Sequence, residues 1–355
     1  MIRLIERELK RAVKTVLSPA IEAAGVNDRA LSGPLADTGR WTILTYHRIT
    51  EHDDADPYRS GMSVRADRFR AQLEYIASRF DVRPVHEAAA LFYGGRAGPK
   101  PLLSISFDDG YLDNLELAAP ILSSVGLPAS FYITVGGLDA PVPFWWDRVT
   151  HAVRTGTRRE PIGATELGLP GPDHRWSTAP LARGDLMRAL VASIWQLPEA
   201  EVEPTVARIR AALGGVDAPG PTLPARMDRN GVRALHALGF EIGAHSIDHV
   251  NLCLREGDAL RAEMAGSRGE LEATLGVPVP GFAYPGGRLD APVVECARAL
   301  GFAYSLTTES GQNDRDADPM RLRRIGAPDA PMADFKRAFA RALAREPAPP
   351  ARSAA

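Results

Sequence analysis

PLLSISFDDG, residues 101–110, runs an apolar stretch straight into two adjacent carboxylates and a glycine. A short, nearly continuous apolar run of this kind suits a strand buried on both faces, and such strands belong to parallel sheets covered by helices. Asp108 and Asp109 stand where the strand ends, which in a (β/α) barrel is the reactive rim, and Gly110 lets the chain turn. Working outward, WTILTYH (41–47) is a second strand-like run, ending on a histidine. Asp67 is then expected to cap a helix, DRFRAQLEYIAS, in which Phe69, Leu73 and Ile76 share one face. A helical pattern covers 112–125. ASFYITV (129–135), FEIGAH (240–245), GFAY (281–284) and AYSL (303–306) read as strands, with helices around 260–275 and 291–300. This repetition of strand and helix predicts an α/β fold built on a parallel sheet or barrel.

Between 137 and 228 the alternation lapses. That stretch holds PFWWDRV, the Pro/Gly-rich ELGLPGPDHRWSTAP and helix-like runs near 184–196 and 202–213. It is too long for a structureless loop, so a helical insertion over one rim is expected. The 355 residues then divide into an N-terminal helix and linker (1–40), a barrel domain (41–344) carrying the insertion, and a disordered tail (345–355). Forty-two Lys and Arg against 44 Asp and Glu leave a net charge of −2, which argues against a nucleic-acid partner. Cys253 and Cys296 are the two cysteines, too few for a disulfide framework or a four-thiolate zinc site. Residues 1–18 place Ile2, Ile5, Leu9, Val13 and Val16 opposite Arg3, Arg7, Lys10, Arg11 and Lys14. This is the pattern of a helix packed on the domain or lying on a membrane surface. It lacks the unbroken apolar run of a signal peptide or membrane span, so a cytoplasmic location, with peripheral membrane contact as an option, is expected.

Four strand ends carry chemistry. Asp108 and Asp109, if they converge on one centre, could divide their work between holding a metal and taking a proton; the plainer reading is a solvated turn. His245 and His249, four apart at the end of FEIGA, suit two ligands of one metal ion, where the plainer reading is two structural histidines. Joined by an aspartate from the earlier strand end, they make a two-histidine, one-carboxylate set that leaves metal positions open. Tyr284-Pro285-Gly286-Gly287 exposes backbone N–H groups such as an oxyanion hole needs, or is simply a turn. Tyr46-His47-Arg48 brings an imidazole to the same rim.

In this order LTYHRI, SISFDDGYLDN, GAHSIDH and FAYPGG resemble the polysaccharide deacetylase family, the NodB-homology carbohydrate esterases, over about residues 41–326. The resemblance implies a distorted (β/α) barrel. It implies that Asp109, His245 and His249 hold a divalent metal, commonly zinc, with Asp108 as the base toward water at that metal. The family's third motif reads Arg-x-Pro-Tyr-Gly, whereas here Ala283 stands for the Arg and Gly286 for the Tyr. A backbone role for Gly286 in the oxyanion hole survives that change; the arginine's role does not, and Arg324 in RLRRIG is the candidate to orient Asp108 instead. Many members draw their general acid from a late histidine, but none follows His249 here. In the branch that begins with a YHR motif the early histidine looks like the replacement, so His47 takes that role. The implied activity is a metal-dependent hydrolysis of N-acetyl groups on an amino sugar, in a polysaccharide or a glycan precursor. The alternatives are a deformylase or other amide hydrolase of the same fold, or an inactive carbohydrate-binding relative. Phe144, Trp145 and Trp146, beside Asp147 and Arg148, are either a sugar-stacking platform or anchors of the insertion, and anchoring is the commoner use of paired tryptophans.

Overall fold

The computed structural model describes residues 38–51, 62–96, 98–214 and 223–344. The basic amphipathic stretch 1–18 and the tail 345–355 lie outside them. No helix among the described residues is long and apolar enough to cross a membrane.

In chain order the first elements are β1 (Trp41–Tyr46), β2 (Arg48–Thr50), β3 (Ser63–Arg65), helix α1 (Ala66–Arg79), β4 (Asp81–Val82), α2 (Val85–Tyr93) and β5 (Leu102–Phe107). A π-helical turn Asn114–Ala118, α3 (Ala119–Val125) and β6 (Ser130–Ile133) follow. The segment after β6 forms α4 (Trp145–Thr155), β7 (Ile162–Gly163), β8 (Arg175–Trp176), α5 (Arg183–Ile194) and α6 (Glu199–Leu213). The chain then returns through α7 (Arg229–Ala237), β9 (Glu241–Ala244), α8 (Gly257–Leu275), β10 (Gly281–Ala283), α9 (Ala291–Ala299), β11 (Tyr304–Leu306), β12 (Ile325–Gly326) and α10 (Met332–Leu343).

The main sheet runs β11-β10-β9-β6-β5-β1-β12, with β4 on β5, and its strand pairs are parallel. It is curled into a half-barrel: a parallel bridge from Leu306 to Leu322 draws its two ends together. Side chains alternate as a pleated strand demands. Trp41, Ile43, Tyr132, Tyr304 and Leu306 fill one face of the curl. Leu44, Tyr46, Phe107 and Phe131 pack the other face under the helices. Because the strands are parallel, their carboxyl ends share one rim, where His47, Asp108 and His245 directly follow β1, β5 and β9.

Two expected details differ. Asp67 is not the cap of α1: β3 leads directly into the helix, so Arg65 takes the extended cap position. Asp67 sits in the first turn, bound to the Arg65 guanidinium and the Arg68 N–H, where a carboxylate suits the helix dipole. The helix expected over 112–125 is split, its first part a π turn. Pro120 lacks the N–H that an α-helix would give to the Glu116 carbonyl.

The helices between β6 and β9 bury their own apolar cluster, including Val149, Leu186, Leu190 and Ile209. They are joined to the barrel rim through a separate aromatic group of Tyr111, Phe144 and Trp146.

Candidate active site

The rim is built from loops that hold uncommon backbone. Asp109, Ser246 and His249 all have positive φ (76°, 63° and 52°) and are the described non-glycine residues that do. Such conformations cost energy and persist where surrounding contacts over-determine them. Here the contacts are visible. The N–H groups of Ile247 and Asp248 both donate to the Glu263 carboxylate on α8 at 3.0 and 3.2 Å. Val135 and Gly136, just after β6, donate to the carbonyls of Ser246 and Ile247. The loop that carries both histidines is thereby held from two sides.

Asp109, His245 and His249 are buried, and one ligand atom from each lies within 4.8 Å of the others. His245 Nε2 is 3.4 Å and His249 Nε2 is 3.3 Å from Asp109 Oδ1. Two ligands bound about 2.0 Å from one tetrahedral ion would stand about 3.3 Å apart, so the spacing fits a zinc-sized ion. His245 Nδ1 donates to the Ala283 carbonyl at 2.7 Å, which fixes the tautomer that leaves Nε2 a free lone pair. Asp109 Oδ2 is buried with no hydrogen-bond partner among the described residues, which leaves it open to a bound cation or an ordered water. The donor set of two imidazoles and one carboxylate therefore fits a divalent metal. Burial pushes the Asp109 carboxyl up, but the two histidine rings beside it outweigh this and hold it well below the usual range.

Asp108 has different surroundings. Arg324, fully buried, donates to both its oxygens, at 2.7 and 2.6 Å. The same guanidinium donates to the Thr307 carbonyl at 2.8 Å and lies 3.3 Å from Ser106 Oγ. Burial raises the Asp108 carboxyl, and Arg324 with help from His245 and His47 more than reverses it, so its pKa lies below the ordinary value.

His47 is partly exposed and lines the same pocket as these residues. Its carbonyl accepts from Asn114 Nδ2 at 2.8 Å. Arg48 is paired with Asp113 at 3.0 Å, and Asp113 also accepts from the Ile49 N–H. The LDN end of SISFDDGYLDN thus clamps the YHR turn. Burial lowers the His47 pKa, and the carboxylates of Asp109 and Asp108 pull it partly back.

Gly286 lies on the pocket wall with φ of 57°. A Cβ placed there would stand 2.8 Å from Cζ2 of Trp195, which closes α5. The tryptophan of the insertion fills the space into which a side chain at 286 would project, so glycine is the residue that fits.

The aromatic cluster divides. Trp146 is 8 % exposed, stacks on Phe144 with ring centroids 4.2 Å apart, donates from Nε1 to Tyr111 Oη at 2.9 Å, and lies 4.5 Å from the His249 ring. Tyr111 in turn donates to the buried Asp147. Trp145 is partly buried and, with Trp195, borders both the catalytic pocket and a neighbouring groove. Arg148 turns away to pair with Glu203. Trp195 and the clamp residues Asp113 and Asn114 were not singled out by sequence; the LDN triplet was the one legible trace of the clamp.

Residues 205–305 match the family model for polysaccharide deacetylase. No curated protein matches the chain. Among solved structures, the fold is similar to the Streptococcus pyogenes deacetylase PplD in complex with acetate, with TM-score 0.57, 16% identity, and 83% of this chain and 96% of that one covered. It is similar to IcaB from Ammonifex degensii, with TM-score 0.52, 17% identity, and 86% and 97% covered. It is also similar to a polysaccharide deacetylase from Bacillus cereus, with TM-score 0.52, 16% identity, and 86% and 69% covered. The curled parallel sheet is the NodB-type barrel, and the matched segment holds two of the four motifs, GAHSIDH and FAYPGG.

Proposed function

We propose that this polysaccharide deacetylase-like chain is a metal-dependent hydrolase that removes N-acetyl groups from an amino sugar. The observation that carries this reading is the convergence of Asp109, His245 and His249 beside a second, arginine-held carboxylate in a pocket of about 630 Å³. Asp109, His245 and His249 would hold the metal, zinc by the donor set, and when bound it supplies Lewis-acid chemistry to the carbonyl and to water. Asp108, kept ionised by Arg324, takes the proton from the attacking water. The Gly286 N–H donates to the developing oxyanion. His47 gives a proton to the leaving nitrogen; because burial lowers its pKa, it is loaded for this more fully on the acid side of neutrality. The chain's complete Asp-His-His set and held base speak for catalysis over carbohydrate binding alone.

The test is acetate release from N-acetylated sugars by purified protein with and without zinc. Release that zinc supports and a chelator abolishes is expected. Full release in the presence of chelator, or formate from N-formyl sugars with no acetate from N-acetyl ones, would overturn the reading.

A further inference from the structure

The two walls of the pocket differ in kind. The barrel side presents His47, Asp108, Asp109, His245 and His249, while the insertion faces them with Trp145, Trp146, Met187, Val191 and Trp195. On that insertion wall Thr150 and Gln196 are the uncharged polar residues. That wall offers a sugar ring faces to stack on but few hydrogen-bond partners for its hydroxyls, whereas alkyl or prenyl groups lose nothing by leaving water. At the mouth stand two exposed arginines. Arg188 pairs with Asp185 one turn back on the same helix, an exposed contact. Arg288 makes no side-chain hydrogen bond or ion pair among the described residues. Guanidinium groups beside an apolar wall fit a phosphate followed by a hydrocarbon chain. Val142 and Leu254, 54 % and 46 % exposed, line the adjoining groove that shares Trp145 and Trp195 with the pocket, beside charged residues that include Glu199 and Arg255.

We infer that the substrate is an amphiphile: an N-acetylated amino sugar joined through phosphate to a lipid chain. This rests on the deacetylase reading of the same site. The sugar sits at Asp108 and His249, the phosphate at Arg188 and Arg288, and the first part of the chain along Val191 and Met187.

The experiment compares three probes with the zinc-supplemented full-length protein: N-acetylglucosamine tetramer, the uridine-diphosphate sugar, and the same sugar diphosphate on a short polyprenyl chain in micelles. The polyprenyl probe is expected to show kcat/KM about tenfold or more above either other probe: over the tetramer through the charged contact to its phosphate, and over the nucleotide sugar through burial of about two methylene groups' worth of apolar chain. Arg288→Ala and Arg188→Ala are expected to lower kcat/KM several-fold for both diphosphates while sparing the tetramer. Val191→Asn is expected to raise KM for the polyprenyl probe alone. Turnover in which the tetramer equals or exceeds the polyprenyl probe overturns the inference and leaves the deacetylase reading standing; preference for the nucleotide sugar overturns the lipid. If no probe loses acetate, equilibrium binding to Asp108→Asn decides. Polyprenyl diphosphate sugar bound more tightly than tetramer keeps the substrate class while the reaction reading falls. Equal or absent binding removes both.

Discussion

Asp108 and Asp109 are sequence neighbours with opposite partners, one facing a guanidinium and the other two imidazoles. That difference lets two carboxylates on one turn do different work. It also makes Arg324 hard to replace: Arg324→Met would leave Asp108 buried without its counter-charge, and an unfolding titration is expected to show a loss of about 3–5 kcal/mol. Adding Asp108→Asn should return much of that loss, since the stranded charge is then gone; a double variant no more stable than the single would refute the pairing argument. Asp113 offers a pH test away from the metal ligands. Burial, against the pull of Arg48, raises its carboxyl to about 6, so between the unfolded value near 3.8 and about 6 the folded state binds more protons. Stability from this group is therefore full below about 4 and lost as pH rises through about 6. Asp113→Asn should remove that slope, gaining on the parent by up to about 3 kcal/mol between pH 4 and pH 7. Equal slopes in both proteins would show that Asp113 titrates normally.

At the scale of elements, the strands that deliver the site were legible because each is a short apolar run that stops at a polar residue: Phe107 before Asp108, Ala244 before His245. Periodicity could not show β12, only Ile325–Gly326, yet its pairing with β1 brings Arg324 under Asp108. Nor could it show that α5 closes with Trp195 over Gly286, because that depends on how the insertion packs rather than on spacing along the chain. The same packing decides what the paired tryptophans do. His249 Nδ1 is buried with no hydrogen-bond partner, so where His245 is oriented by a carbonyl, His249 is held by rings, Trp146 at 4.5 Å and Trp195 at 5.2 Å. Trp146→Ala is expected to lower the melting temperature by several degrees, through lost burial, and to weaken zinc binding about tenfold or more by freeing the imidazole. Trp145→Ala should raise KM with a smaller thermal effect. Calorimetric zinc titration and melting curves together check this, and unchanged zinc affinity in Trp146→Ala would leave the ring as a packing group only.

Across the whole molecule, the insertion and the barrel meet at the candidate metal ligand. The helices after β6 have their own apolar cluster, and their rings reach His249, whose loop is also tied to β6 and α8. Three residues of positive φ sit at that junction, so the site stores strain that bound metal would offset. Zinc at 100 times its dissociation constant should add about 2.7 kcal/mol to folded stability, provided the unfolded chain does not bind it. The gain should not be confined to the rim. If His249 is the link, amide exchange is expected to slow on zinc addition in Trp145–Thr155 and Arg183–Ile194 as well as around Asp109 and His245, because opening those helices withdraws the rings that hold the ligand. In His249→Ala the rim and the two helices should no longer respond together. Slowing confined to the ligand loops of the parent protein would mean that the insertion covers the pocket without helping to hold the metal.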